Sequence, residues 1–220
     1  MGSLVKILAL IGALLGAVPA GASTLPDPVE QALQEAEAHA DLRLSFTLVF
    51  QWADGPEIVE RYNASSGRWT VLKGDPDALD ATARGKLAHA KHLEAMPGGL
   101  VAADYRKSIA AAELISMSSI ETVYRFQAPR QAKVAENVQA ELGLGPLGGL
   151  TRYSIRADEK IEPTLFMRFD KFVFEHHFER VFADLPPLLT RAVICREGST
   201  LRRAISEDYV LLFMDFERVE

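Results

Sequence analysis

The sequence predicts an α+β fold built on an antiparallel sheet, and three observations carry that reading. Leu42 to Trp52 alternates apolar and polar residues along its whole length. From Leu150 onward the chain is nearly all strand-like, in runs separated by turn clusters. The helical stretches fall in blocks between strands instead of following each strand in turn, which argues against a wound parallel sheet.

The first 22 residues stand apart from that fold. Lys6 gives a short basic start, Ile7 to Ala17 is an uncharged apolar run, and Ala20-Gly21-Ala22 has the small-x-small form that signal peptidase cuts after. This is the pattern of a secretory signal peptide, cleaved before Ser23, and it marks the product for export. A membrane anchor is the alternative. Lys6, Pro19 and Gly21 suit a cleavage region better than a helix buried in lipid. No Cys sits at the cut to be acylated, and no later segment is apolar for long enough to span a bilayer.

Residues 23–220 then form one α+β domain, large enough for a real core. Without Lys6 the 24 basic residues become 23 against 30 acidic ones, a net charge of −7. Such a chain is a poor nucleic-acid binder without a basic patch, and Arg202-Arg203 is an isolated pair. The only Cys, Cys195, lies in the apolar run Ala192 to Cys195 and reads as a small buried hydrophobe. Asn63-Ala64-Ser65 matches a glycosylation sequon, which matters only in a eukaryotic secretory pathway.

Asp27-Pro28 opens the first helix, with Asp27 as N-cap, Pro28 in the first helical position and Glu30 completing a capping box. Val29, Leu33, Ala36 and Ala40 make its apolar stripe. The long strand follows. Leu42, Leu44, Phe46, Leu48, Phe50 and Trp52 share one face, and Arg43, Ser45, Thr47 and Gln51 the other, with Val49 the exception. Asp54-Gly55-Pro56 turns the chain into a strand at Ile58 to Asn63. Ala64 to Gly67 turns it again into Arg68 to Lys73, a meander with one wet face.

Asp75 or Asp77 caps a helix through Leu79, Leu87 and Met96, Pro97-Gly98-Gly99 breaks it, and Leu100 to Ala112 starts another. Strand pattern resumes from Ile115 to Gln127, with Ile120, Thr122, Tyr124 and Phe126 on one face. Arg130 to Leu142 reads as a helix ending at a Gly143 C-cap, and Gly145 to Gly149 as a loop. The later strands hold Tyr153, Phe166, Phe172 to Phe182, Leu188 to Arg196 and Tyr209 to Val219. Their turns are Ala157-Asp158-Glu159, Asp184 to Pro187 and Glu197-Gly198-Ser199.

Few residues offer chemistry. His89 and His92 share a helix face, but a metal would need a third ligand that the spacing does not supply. In Phe172 to Phe182, His176 and Arg180 share a face with Phe172, Phe174, Phe178 and Phe182, while His177 points the other way between Glu175 and Glu179. An inward His176 is either a polar group in an apolar cavity or a satisfied core residue. No Gly-x-Ser-x-Gly, phosphate-binding glycine loop or His-Glu-x-x-His occurs in residues 23–220. The sequence therefore assigns no catalytic residue, metal or cofactor.

A short helix, a long strand ending Phe46-Thr47-Leu48-Val49-Phe50-Gln51, a hairpin carrying Gly67-Arg68-Trp69 and a closing Asp215-Phe216-Glu217-Arg218-Val219 make a recognisable order. It resembles uncharacterised exported proteins of Gram-negative, mainly alphaproteobacterial, type. More loosely, it resembles the LolA-type lipoprotein carriers and their LolB-like relatives. The carriers usually follow their second strand with an Arg-Pro step, where this chain has Tyr62-Asn63-Ala64-Ser65, and the insertion from Asp75 to Ala112 is long. The resemblance implies a curved antiparallel half-barrel with helices on its concave side, around a cavity for acyl chains.

The resulting expectation is a periplasmic protein that binds a hydrophobic ligand through Phe46, Phe50, Trp52, Phe174, His176 and Phe178. Its partner would be a lipid or lipoprotein, with only transient membrane contact and no nucleic acid. The alternatives are a structural or interaction protein of the envelope, whose apolar groove is filled core, and a hydrolase using His176 or His177.

Overall fold

A computed structural model of the protein describes residues 25–39, 42–53, 55–92, 109, 112–126, 138–157, 159–164, 167–201 and 203–219. The expected signal peptide lies outside them, as do Ala40, Met96, Phe166, all of 100–111 but Ile109, and residues 130–137.

The first strands arise as the sequence reads. The alternation of the long strand gives β1 (Leu44–Trp52), and the two turns give β2 (Ile58–Asn63) and β3 (Arg68–Lys73). Then come β4 (Ala112–Met117), β5 (Thr122–Phe126), β6 (Val138–Leu144), β7 (Leu150–Ala157) and β8 (Ile161–Thr164). The three longest close the chain: β9 (Met167–Glu179), β10 (Leu188–Thr200) and β11 (Ala204–Arg218). All join one antiparallel sheet in the order β3-β2-β1-β11-β10-β9-β7-β6-β5-β4, with β8 hydrogen-bonded to β9. Among the described residues the sheet is open, with β3 and β4 at its two edges. Pairing of β11 with β1 sets the first and last strands side by side, third and fourth in that order.

Helices α1 (Asp27–Glu37) and α2 (Ala81–His92) are added to this sheet. Their buried residues, Val29, Ala32, Leu33 and Ala36 of α1 and Ala83, Leu87 and Ala90 of α2, belong to one hydrophobic cluster. The same cluster holds Phe46, Leu48 and Phe50 of β1 and Tyr209, Leu211 and Phe213 of β11, all on one face, called inner below. Ile109 is buried in it as well.

Several local expectations are corrected. The N-cap of α1 is Pro26 and no side chain caps it, so the Asp27 capping box does not form. The expected Asp75 cap holds only a single 3₁₀ turn, Pro76–Ala78. Helix α2 starts afresh where the Asp80 carboxylate accepts from the Thr82 and Ala83 amides, a cap that the sequence reading passed over. The Ile115 to Gln127 run is two strands, because Ser118 closes a turn on Glu121. Its Ile120 is 76% exposed instead of sharing the buried face of Tyr124 and Phe126.

Two larger expectations are overturned, one of period and one of a turn. The expected Arg130 to Leu142 helix is, in its described part, strand β6. Ala140, Leu142 and Leu144 are two apart and all buried, which is strand spacing, and Gly143 lies inside the strand instead of capping a helix. A Cβ on Gly143 would run into Glu121 and Thr151, so close packing holds that glycine. Glu197-Gly198-Ser199 is no turn. Strand β10 runs through it to Thr200, with an irregularity in its pairing to β9 between Glu197 and Gly198. A side chain at Gly198 would strike the backbone of Arg168 and Phe169. Strand β9 also ends at Glu179, before the expected Phe182.

The expected wet face of β1 is covered too. Ser45, Thr47 and Val49 are buried along with their inward neighbours. Thr47 lies in register between Arg61 and Met214, with the Arg61 guanidinium donating to its hydroxyl at 3.4 Å, and Val49 lies between Val59 and Leu212.

Candidate functional site

The inner face is built in cross-strand rows. One row runs Tyr124, Leu142, Tyr153, His176, Ala192, Leu211, Phe50, Ile58, each in direct register with the next. The neighbouring row runs Ala140, Ile155, Phe174, Ile194, Tyr209, Trp52. Strand pleat alone produces this, because every second residue of each strand faces the same way.

All six residues expected to bind ligand lie on this face, but in two groups. Phe50, Trp52 and Tyr209 stack together. Trp52 lies flat on Tyr209, with ring centroids 5.6 Å apart and planes at 10°, and Phe50 is 6.1 Å from Trp52. Phe46 sits further along β1 among Tyr62, Trp69, Phe213 and Phe216, at 5.6–5.9 Å. On β9 the His176 ring is 4.4 Å from Phe174 and 6.3 Å from Phe178. Strands β11 and β10 separate the two groups, a gap of roughly 14 Å at ordinary strand spacing. Phe46, Phe50, His176 and Phe178 are buried, whereas Trp52 and Phe174 are only half-buried.

Burial holds the His176 imidazole far below its ordinary value, at about 3, with His177 adding to the shift. His176 is therefore neutral on this face at neutral pH. His177 points outward as expected, with Nε2 3.5 Å from Glu175, which Arg156 also pairs with. The His177 pKa is lowered too, by burial first and then by Arg191, Arg152 and Arg156. Arg180 does not line the face. It donates to the Leu185 carbonyl and pairs with Glu35 of α1 at 3.3 Å.

Sequence reasoning missed the charged groups of the inner face. Lys86 of α2 is buried and its ammonium lies 2.8 Å from Glu207 of β11, which also pairs with Arg196 of β10. Lys91 of α2 reaches Glu60 of β2 at 2.6 Å and lies over the Trp69 ring at 5.4 Å. The signal was present as parity. Arg196 continues the inward series Ala192, Ile194; Glu207 precedes Tyr209, Leu211; and Glu60 follows Ile58.

At the closing strand, Asp215 adopts φ 52, where the pairing of β1 with β11 shifts between Ser45 and Thr47. This break in alternation lets Phe216 reach Phe46 although Tyr209, Leu211 and Phe213 have the opposite parity. The Asp215 carbonyl accepts from Arg61 at 2.6 Å.

Among the described residues no group of three His, Cys, Asp or Glu side chains is placed to hold a metal ion, and no helix is long and apolar enough to cross a membrane. Cys195 is buried and in no disulfide. Searches against protein-family models, curated proteins and solved structures each returned no match to the chain.

Proposed function

We propose that the protein is exported to the periplasm and binds a hydrophobic ligand, a lipid or the acyl part of a lipoprotein, on the inner face of its sheet. In this reading the sheet curves as a half-barrel, α1 and α2 lie on its concave side, and the protein touches the membrane only in passing. One observation carries the proposal. The row Ala140, Ile155, Phe174, Ile194, Tyr209, Trp52 is apolar or aromatic throughout, and its Phe174 and Trp52 rings are only half-buried, so part of the aromatic surface of the core reaches toward solvent. The open sheet supports it, since the rows are not shut off by closure.

Hydrolysis by His176 fits less well. A general base works best with a pKa near the operating pH, and about 3 leaves this imidazole a weak one. The envelope interaction reading has an observation of its own. On edge strand β4 and its turn, Leu114, Ile115, Met117 and Ile120 are 51%, 37%, 71% and 76% exposed, an apolar edge open to strand pairing.

Native mass spectrometry of the protein purified from periplasm, followed by titration with a fluorescent fatty-acid probe, tests the proposal. Co-purifying lipid and saturable probe binding are expected. A protein that carries no lipid and binds no probe ends the carrier reading and leaves the interaction protein.

A further inference from the structure

Among the described residues the inner face holds a buried excess of positive charge around Lys86 and Arg196. Lys86 and Arg196 share a single acid among the described residues, Glu207, and they are 3% and 7% exposed. The Nε of Arg196 is buried with no hydrogen-bond partner. A buried charge without a counter-charge is expensive, so such a cluster favours one more anion. The Lys86 ammonium shows the same stress. Burial drives its pKa down, the hydrogen bond to Glu207 opposes that, and the positive charges of Arg196 and Arg203 add to the fall.

The cluster lies beside the aromatic row. Arg196 faces Glu207 and Phe172 in register. One pleat along, Ile194 faces Tyr209 and Phe174, and Tyr209 faces Trp52. Burial is what chiefly raises the Tyr209 pKa, and both charges add to it in opposite senses, Arg196 favouring the phenolate and Glu207 opposing it. A ligand with a small anionic head at Arg196 would therefore lay an apolar tail on Tyr209 and Trp52.

We propose that Arg196 and Lys86 form the headgroup site for a long-chain fatty acid, whose carboxylate is held at the unpartnered Nε of Arg196 and whose alkyl chain runs along Tyr209 and Trp52. A carboxylate suits the site on two counts. It brings the single negative charge that balances the cluster, and it is small enough for a place where both cations are more than nine-tenths buried. This rests on the hydrophobic-ligand reading above and names the ligand class.

The test compares palmitate with methyl palmitate, which has the same chain without the charge, by displacement of a bound fluorescent probe from delipidated full-length exported protein. Palmitate is expected to bind about tenfold or more tightly than the ester, and Arg196→Gln to bring that ratio close to one. Millimolar inorganic phosphate should displace no palmitate. Equal affinity for acid and ester in the wild type overturns the headgroup site while the hydrophobic-ligand reading survives. Displacement by phosphate reassigns the cluster to a free oxyanion and overturns the fatty acid. If neither acid nor ester binds, both readings fall. The wild-type comparison decides even if Arg196→Gln does not fold.

Discussion

Phe46 and Thr47 are neighbours on β1, point to opposite faces of the sheet, and are both buried, at 2% and 6% exposure. Phe46 is ringed by four aromatic side chains, whereas Thr47 lies in register between Arg61 and Met214, with the Arg61 guanidinium at its hydroxyl. Their costs on truncation should differ in size. Phe46→Ala is expected to cost ~3–5 kcal/mol, from lost burial and the cavity left among rigid rings. Thr47→Ala should cost ~1–2 kcal/mol, from a lost strand-favouring side chain and a buried hydroxyl near Arg61. Denaturant melts of both variants check this, and a neutral Thr47→Ala would mean that face is wet after all.

His176 makes stability depend on pH with a defined sign. Its folded pKa of about 3 lies below the unfolded value of about 6.5, so between those limits the unfolded chain binds a proton that the fold excludes. Stability should therefore fall as pH drops from about 6.5 toward 3, at up to ~1.4 kcal/mol per pH unit. His176→Phe should remove one proton's worth of that slope, since the carboxylates titrate alike in both proteins. Identical slopes in melts between pH 6.5 and 4.5 would show that His176 is protonated in the fold.

Glu207 and Lys86 should behave asymmetrically although they pair with each other. Glu207→Gln leaves two buried cations without an acid and should cost ~3–5 kcal/mol. Lys86→Met leaves a neutral Arg196–Glu207 pair and adds an apolar chain to the core, so its cost should stay within ~1 kcal/mol or turn into a gain. Chemical denaturation of the two variants separates them, and equal losses would show that Lys86 gives more by packing and pairing than its burial costs.

Gly198→Ala should cost ~1–3 kcal/mol by overpacking, because the added methyl meets the backbone of Arg168 and Phe169, which cannot swing aside. Thermal melts should show the loss, and a variant as stable as wild type would mean that β9 and β10 lie further apart at this step.

The sequence by itself determined the antiparallel class, the bounds of β2 and β3, and the faces of β1 and β9 that carry Phe46, Phe50, Phe174 and His176. These follow from local physics, namely period-two alternation and turn residues. Where a signal was short it misled. Ala140, Leu142 and Leu144 fit a strand as well as a helix, and only their pairing with β5 and β7 settles which. Gly198 looks like a turn until the backbone of β9 is seen beside it. The tertiary structure alone decided that both faces of β1 are covered, since Arg61 and Met214 are 14 and 167 positions from Thr47 in the chain and meet it only through strand register. It alone also joined Lys86 to Arg196 and Glu207. A charged residue in an apolar series shows only that it faces inward; which other charge it meets depends on how a helix lies across the sheet, and no local pattern encodes that crossing.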